Sequence, residues 1–378
     1  MIPSTPESSL DESSAQKKAK KSAKSALYGS IFMACVLAAN MIYIVATGQL
    51  QTTIDALKDV DAGWLWICAL LLLCYLLCGT LAYIVSSLLD KKGKEGVLDL
   101  VSVEAAGTFY GNLTPMMVGS LPAQLWRLIR AGLSFGEASA IQITRFSLYQ
   151  AAQVFVAVVL LGLSWNTFAL HYPGLVWLNI VLVVLKLGQL AVLFAVAFFP
   201  NWVTKITQIV FSFIRRHHIS FLERHLESWE TNVAKELAQF KSAFRPVFKR
   251  PRSLICILIV SMAQVCLLYM TPWFVMKAFG IDANFFEVFT AGTMVQFAAS
   301  SIPLPGGTGG IEAAFIAYFS RILGVLTVPV YLVWRLLTFY GYTVVTGIAS
   351  NLYTKPTSPT LEERIASIKR VLHKKDSA

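Results

Sequence analysis

The chain has 378 residues, of which 56% are hydrophobic and only 14% are charged, and its formal net charge is +11. Soluble proteins carry about 25% charged residues, whereas several apolar blocks here exceed the ~20 residues that cross a bilayer as a helix. These figures argue against a soluble enzyme, a nucleic-acid-binding module and a disordered scaffold, and they predict an all-α polytopic membrane protein.

Six uninterrupted apolar segments predict transmembrane helices. They run near residues 27–47, 63–88, 139–164, 175–200, 253–276 and 328–350. A polar, basic tail at 1–26 precedes the first segment, which lacks a convincing small-residue cleavage site, so we expect a retained span. The sequence therefore predicts an N-terminal tail at 1–26, a membrane domain at 27–350 and a basic C-terminal tail at 351–378.

Two further apolar regions are broken by glycine and proline. Region 101–135 contains FYGNLTPMMVGSLPAQLWRLIRAG, and region 285–325 contains FAASSIPLPGGTGGIEAAFIAYFS. Non-helical backbone at membrane depth is tolerated only where protein or a watery cavity satisfies its polar groups. We expect each region to form a re-entrant or fully crossing hairpin, and broken segments of this kind are good pointers to a transport site.

The basic residues predict the orientation. With the N-terminus in the cytoplasm, only Lys58, Lys277 and Arg321 fall in outer segments. The positive-inside rule therefore predicts a multi-pass protein of the plasma membrane with both termini cytoplasmic. Because no nucleic-acid-binding motif accompanies the positive charge, we expect no nucleic-acid partner.

In that orientation the two broken regions enter the membrane from opposite sides. A weak register also relates them, since three residues of the first match three of the second at a constant spacing of 188 residues. The matched residues are Pro115, Gly119 and Gln124 in the first and Pro303, Gly307 and Glu312 in the second. Together these features predict inverted repeats.

The cytoplasmic segments carry amphipathic patterns. Within the loop 201–252, apolar residues recur at steps of three and four from Leu222 to Phe244, which predicts one apolar helix face. This helix would pack on the bundle, lie on the inner leaflet or bind a partner. The stretch 361–375 is basic and amphipathic, and we expect it to meet anionic lipid.

The string PLPGGTGGIE is the most specific in the chain. Its prolines would end an incoming helix, and its glycines permit a tight turn before a helix whose free N–H groups could bind an anion. The alternative is that the glycines only let two helices pack closely. The candidate headgroup-binding residues here are Pro303, Pro305, Gly306, Gly307, Gly309 and Glu312.

Ionisable residues within spans are functional candidates because charge at membrane depth is costly. Glu312 could neutralise Arg335, contact a cationic headgroup, relay protons or simply hold the fold. Arg335 lies well inside the last span, and Lys186 could bind an anion as a point charge. Arg145 lies closer to the inner face, where snorkelling is the alternative.

The first broken region offers neutral polar groups and two arginines. Asn112, Pro115 and Gly119 surround the break, and Arg127 and Arg130 share a helix face at its inner mouth. These arginines could hold an anionic headgroup or serve as positive-inside anchors. The sequence contains no recognisable catalytic pattern, nucleotide loop or Cys/His metal spacing, so we expect no cofactor and no metal.

The late motifs resemble those of a known family. The strings PLPGGTGGIEAAF and LVWRLLTFYGYTVVTG resemble the membrane region of lysylphosphatidylglycerol synthases and their stand-alone relatives, over roughly 27–350. The family motif P-x-P-G-G-x-G-x-x-E matches Pro303 to Glu312, and its later arginine and glycine match Arg335 and Gly347. The early motif matches more loosely, because relatives often have a glycine and an acid where this chain has Ser120, Pro122 and Gln124.

The resemblance implies a flippase-like protein that moves lipids between leaflets. Its cargo would be a phospholipid such as aminoacylated phosphatidylglycerol, or a lipid-linked precursor, so membrane lipids are the expected partners. Full-length synthases also carry a soluble domain that takes an aminoacyl group from tRNA, and residues 351–378 are too few for that domain. We therefore expect no enzyme activity. Two alternatives remain: a phosphatidylglycerol lysyltransferase or its membrane subunit, and a scaffold or regulator of envelope lipid synthesis.

Overall fold

The computed structural model describes residues 50–88, 95–114, 117–198, 250–301, 307, 309–354 and 363, and every regular element in these ranges is helical. The chain divides into two compact units, Met1–Lys58 and Asp59–Ala378. The described part of the first unit is helix α1 (Leu50–Lys58), on which Lys58 and Asp55 form an exposed ion pair with a nitrogen–oxygen distance of 2.6 Å.

The second unit is a helical bundle. Its described helices are α2 (Ala62–Leu88), α3 (Val97–Asn112), α4 (Ser120–Arg130), α5 (Phe135–Leu163), α6 (Trp165–His171), α7 (Val176–Phe198), α8 (Pro251–Tyr269), α9 (Thr271–Ala278), α10 (Phe285–Ser301), α11 (Gly310–Leu323), α12 (Thr327–Arg335) and α13 (Tyr342–Ala349). Short 3-10 turns at Pro173–Leu175 and Gly324–Leu326 join α6 to α7 and α11 to α12, and a π-helical segment, Leu336–Gly341, joins α12 to α13.

Five stretches of the described chain are long and apolar enough to cross a membrane. They are Ala62–Leu88, Phe135–Leu163, Pro173–Ala191, Pro251–Ala278 and Gly310–Ala349. The predicted all-α polytopic membrane fold is confirmed. The predicted span at 27–47, the amphipathic segment at 222–244 and, apart from Glu363, the stretch 361–375 lie outside the described residues.

Three of the predicted spans differ in detail. Helix α5 begins at Phe135 rather than at 139, because Ser134 caps it: the Ser134 hydroxyl accepts the Glu137 N–H at 3.3 Å, and the Glu137 carboxylate accepts the Ser134 N–H at 3.0 Å. The span predicted at 253–276 divides at Met270, where Pro272 starts a new helix. The span predicted at 328–350 contains the π-helical segment.

Hydrogen bonds define the two ends of the bundle. At one, which we call the Asp61 end, the Asp61 N–H at the start of α2 donates to the Ala278 carbonyl at the end of α9 (2.9 Å). At the other, the Leu88 end, the Arg250 guanidinium just before α8 donates to the Leu88 carbonyl (3.2 Å). Asp99 in the first turn of α3 also accepts the Thr354 N–H beyond α13 (3.0 Å).

The two broken regions are helical hairpins that start from opposite ends of the bundle. The first hairpin, α3 and α4, leaves the Leu88 end, where the Ser87 hydroxyl donates to Glu95 (2.6 Å). The second hairpin, α10 and α11, leaves the Asp61 end, and an ion pair between Glu287 and Arg321 joins its two ends (2.7 Å). The predicted opposite arrangement is confirmed by these contacts.

The hairpins are short. At 1.5 Å per residue, their helices of 16, 11, 17 and 14 residues span about 17–26 Å, less than the ~30 Å hydrocarbon core. These lengths fit re-entrant hairpins better than fully crossing ones.

Each hairpin turns back at a glycine. A Cβ on Gly119 would lie 2.9 Å from the Tyr110 carbonyl oxygen, and one on Gly307 would lie 2.9 Å from the Ala299 carbonyl oxygen. Gly307 and Gly309 also have φ values of +67° and +84°, a conformation that favours glycine. Helix α4 begins after Gly119 and helix α11 after Gly309. The spacing between the starts of α4 and α11 is therefore two residues longer than the 188 residues that separate the matched positions of the sequence.

The core is aromatic and the outer surface is apolar. Trp334, Tyr318 and Phe315 are among the largest fully buried side chains, whereas Trp177 on α7 and Leu70 on α2 are exposed. An apolar exterior around a packed aromatic core is the arrangement expected of a bundle that faces lipid.

Candidate functional site

The break in the second hairpin places a carboxylate on its own helix start. Glu312 is the third residue of α11, and its Oε2 accepts the Gly309 backbone N–H at 2.5 Å. Its Oε1 accepts the hydroxyl of Tyr331 on α12. A carboxylate in the first turn stabilises a helix by satisfying free N–H groups. At the predicted anion site, an acidic side chain of the protein already uses one of the donors.

Arg335 lies on the neighbouring helix and completes this group. It is 5% exposed, and its guanidinium lies 4.0 Å from the ring centroid of Phe339. Tyr331, one turn earlier, lies within electrostatic reach of both Arg335 and Glu312, as does Tyr340. The structure therefore brings together two predicted site residues, Glu312 and Arg335, through a tyrosine.

Arg335 is followed directly by the π-helical segment Leu336–Gly341. π-Helical segments are rare, and those that occur frequently lie at functional sites. In the sequence, neither proline nor an unusual composition marks this change of helix type. Sequence reasoning placed Arg335 in a span but missed the irregular backbone beside it.

Two of the contacts that join the first hairpin to the bundle are made by neutral amide side chains. The Asn112 amide donates to the Thr343 hydroxyl on α13 (2.7 Å), and close by, a Cβ on Gly347 would lie 2.8 Å from the Phe109 ring. On α4, Gln124 Oε1 accepts the Gln142 amide of α5 (2.6 Å). These contacts fix the predicted residue Asn112 at a helix interface.

The two predicted arginines of α4 differ in exposure. Their guanidinium carbons lie 5.1 Å (Arg127) and 5.5 Å (Arg130) from the Trp126 ring centroid. Arg127 is buried, whereas Arg130 is exposed. The pair shares one aromatic neighbour at the mouth of the first hairpin, but of the two only Arg130 is exposed.

Lys186 reaches towards the second hairpin. Its ammonium group lies 5.7 Å from the ring centroid of Phe297 on α10 and donates to Gln189 on its own helix (3.4 Å). The Lys186 side chain is buried and lies beside α10. The structure therefore associates Lys186 with the second hairpin rather than the first.

A buried acid that the sequence analysis missed lies beside Arg145. Glu104 on α3 is 5% exposed and Arg145 on α5 is 4% exposed, and their charged groups lie 3.7 Å apart. Gln264 on α8 contacts both. The snorkelling alternative for Arg145 is wrong, because the guanidinium points into the bundle towards this acid. An acidic residue within an otherwise apolar stretch was the available signal.

A second missed group lies at the Asp61 end. Arg321 donates to Glu287 (2.7 Å) and to Nδ1 of His171 (2.8 Å), and the Tyr172 hydroxyl donates to the same Glu287 oxygen (3.0 Å). Burial, followed by the nearby Glu287 carboxylate, raises the pKa of Tyr172 to about 12. This group ties α10, α11 and the end of α6 together.

The remaining predicted site residues either form the hairpin breaks or lie outside the described residues. Gly119, Gly307 and Gly309 form the hairpin breaks as described. Pro115, Pro303, Pro305 and Gly306 lie outside the described residues. Within the described ranges, no group of three or more His, Cys, Asp or Glu side chains comes together in a way that could hold a metal ion.

Comparison with known proteins adds two findings. A family model described as the lysylphosphatidylglycerol synthase TM region matches residues 30–346. A protein of Archaeoglobus fulgidus named "UPF0104 membrane protein" is 23% identical over 250 residues, which cover 64% of this chain and 71% of that protein.

Proposed function

The chain belongs to the family of lysylphosphatidylglycerol synthase transmembrane regions, and on that premise we propose that it moves an anionic membrane lipid between leaflets. Acyl chains can stay in the bilayer during such movement, so that only the headgroup needs a polar route.

The pair of opposed, glycine-broken hairpins carries the proposal. Each hairpin starts from a different end of the bundle, is too short to cross the hydrocarbon core and turns back at a glycine. Broken helices of this kind, in inverted halves, form the binding sites of many transporters. A headgroup could be received from either end without a continuous open channel.

Charge along the hairpins favours an anionic headgroup. We place the Leu88 end in the cytoplasm, in accord with the positive-inside pattern. Arg127 and Arg130 then receive the headgroup at the cytoplasmic mouth. Arg335, with Glu312 as its counter-charge, receives it at the other break, and Lys186 offers a further cation beside the second hairpin. Arginine is well suited to phosphate because its planar donors can bind two oxygens.

The test is lipid movement in proteoliposomes. Purified full-length protein is reconstituted with a fluorescent phosphatidylglycerol analogue, and a membrane-impermeant quencher reports how fast inner-leaflet lipid becomes accessible. We expect wild type to expose the protected fluorescence faster than empty liposomes do. Equal rates would overturn the proposal for this lipid.

Variants at Arg335 test whether the lipid headgroup passes this residue. Arg335→Ala should abolish the acceleration, and Arg335→Lys should restore part of it because the positive charge remains. Lys277→Ala is the matched control, since Lys277 pairs with the exposed Asp282 away from both breaks. A control variant as slow as Arg335→Ala would show that the loss is not specific to this site.

A further inference from the structure

Three polar side chains from three helices meet inside the bundle. Glu104 belongs to α3 of the first hairpin, Arg145 to α5 and Gln264 to α8, and all are almost fully buried. A Cβ on Gly79 of α2 would lie 2.2 Å from Glu104 Oε1. Glycine at position 79 therefore makes room for an acid at this depth, where apolar side chains would be expected.

The acid and the arginine are not in direct hydrogen-bond contact. Arg145 Nη2 donates to Gln264 Oε1 at 2.5 Å, whereas its distance to Glu104 Oε2 is 3.7 Å. Gln264 Nε2 donates to Glu104 Oε1 at 2.7 Å. The neutral amide thus stands between the two charges, and a buried pair repays its desolvation cost only when its geometry is excellent.

Arg145 has other partners that do not depend on the charge of Glu104. Its guanidinium lies 4.9 Å from the Tyr149 ring centroid and 5.5 Å from that of Tyr83, in addition to the Gln264 bond. Aromatic faces stabilise a desolvated cation. Arginine keeps its proton in proteins, so Glu104 is the member of this pair that can change charge.

The other groups around Glu104 are neutral. Tyr75 and Tyr83 face it from α2, Tyr149 from α5 and Tyr342 from α13, and Arg145 is the charged group facing it among the described residues. The hydroxyls of Tyr75 and Tyr149 share a hydrogen bond, with 2.9 Å between their oxygens.

Several buried polar atoms of this region have no hydrogen-bond partner within the described chain. They include Arg145 Nε, the Ser261 hydroxyl one turn before Gln264, and the Tyr342 hydroxyl. Buried polar groups almost always have a partner, and internal water supplies one where protein does not. Water at these atoms would give a proton a path to the acid.

We propose that Glu104 is a proton-binding site, and that its charge determines how firmly the first hairpin is held against the bundle. The ionised carboxylate is attracted to Arg145. When it takes up a proton from hydronium, which is left as water, it becomes a neutral carboxylic acid. The attraction to α5 is then lost, and Gln264 remains as its partner. Resting on the proposed function, this site would couple lipid movement to a proton gradient, because α4 of the same hairpin carries Arg127 and Arg130.

Proton binding is tested first, without transport. Infrared difference spectra of the purified full chain in lipid, recorded between alkaline and acidic pH, should contain the C=O stretch of a protonated carboxyl group shielded from water. Glu104→Gln should remove this band and Glu287→Gln should keep it. A spectrum in which Glu104→Gln removes no band would overturn the proposal. If Glu104→Gln does not fold, the double variant Glu104→Gln/Arg145→Gln, which removes both charges, takes its place.

Coupling is tested in proteoliposomes with and without an imposed pH gradient. Wild type should move the lipid analogue up to about tenfold faster per pH unit of gradient, the factor by which proton occupancy changes. Glu104→Gln should move lipid at one rate in both conditions. A wild type that ignores the gradient would overturn the coupling and leave the proposed function intact. A wild type that moves no lipid would overturn the proposed function, and the infrared band alone would then decide the proton site.

Discussion

The two hairpins share a shape but are held in place differently. Polar side chains fix the first hairpin: Glu104 to Arg145 and Gln264, Gln124 to Gln142, and Asn112 to Thr343. The second hairpin is packed mainly through aromatic rings, such as Phe315 against Trp334 on α12 with 5.2 Å between their centroids, although Glu312 also accepts the Tyr331 hydroxyl and the Tyr318 hydroxyl donates to Asn179. Polar contacts at membrane depth depend on charge and hydration, whereas aromatic packing does not. We therefore expect charge to influence the attachment of the first hairpin, with its buried Glu104–Arg145 pair, more strongly than that of the second.

The largest expected effect comes from removing the buried acid. Glu104→Ala leaves Arg145 buried without its carboxylate and removes a partner of Gln264, so it should lower the free energy of unfolding by about 3–5 kcal/mol. Denaturant unfolding in detergent measures this. A loss of unfolding free energy below about 1 kcal/mol would contradict this account, because the polar contacts of Glu104 would then not be holding the first hairpin in place.

Alanine substitutions at Gly119 and Gly307 distinguish the cost of crowding alone from the cost of crowding together with backbone strain. Gly307→Ala places a Cβ at a φ of +67° and against the Ala299 carbonyl, so it should cost about 2–3 kcal/mol. Gly119 is crowded by the Tyr110 carbonyl and Thr114 but has a φ of −69°, and Gly119→Ala should cost less. Thermal unfolding of both variants under one condition gives the ranking, and the reverse order would contradict it.

A smaller effect is expected at the amide contact between α4 and α5. Gln124→Leu leaves the Gln142 amide without its acceptor and should cost about 1–2 kcal/mol. Arg130→Gln on the same helix is the control, because its exposed side chain should contribute little. Equal unfolding midpoints for the two variants would show that this contact does not help to hold the hairpin.

The smallest effect is expected at the ends of the second hairpin. Arg321→Ala breaks the pair with Glu287, but the arginine side chain is 46% exposed. Partly exposed ion pairs contribute about 0–1 kcal/mol, so the unfolding midpoint should barely move. A loss as large as that of Glu104→Ala would mean that charge holds both hairpins alike.

The sequence was sufficient for the fold class and for the position of both hairpins. Apolar block length determines where helices cross, and glycine and proline determine where they stop, so both can be read locally. The capping pair Ser134 and Glu137 was equally readable and would have placed the start of α5 correctly.

The side-chain contacts could not be read in the same way. Glu104 and Gln264 are 160 positions apart, and nothing local to either residue names the other. Glu312 was identified as a candidate, but its bond to the Gly309 N–H depends on the turn that the chain makes between them. The π-helical segment after Arg335 depends on packing between helices rather than on composition.

The carboxylate of Glu312 on its own helix start has a further consequence for any anion that arrives there. Such a ligand would have to displace the Glu312 carboxylate from the Gly309 N–H and the Tyr331 hydroxyl. Because Glu312 is part of the chain, its carboxylate would return to these donors when the ligand leaves. Binding becomes an exchange, which weakens affinity and hastens release. A receptor would be poorly served by this arrangement, whereas a carrier, whose turnover depends on letting go, would benefit from it.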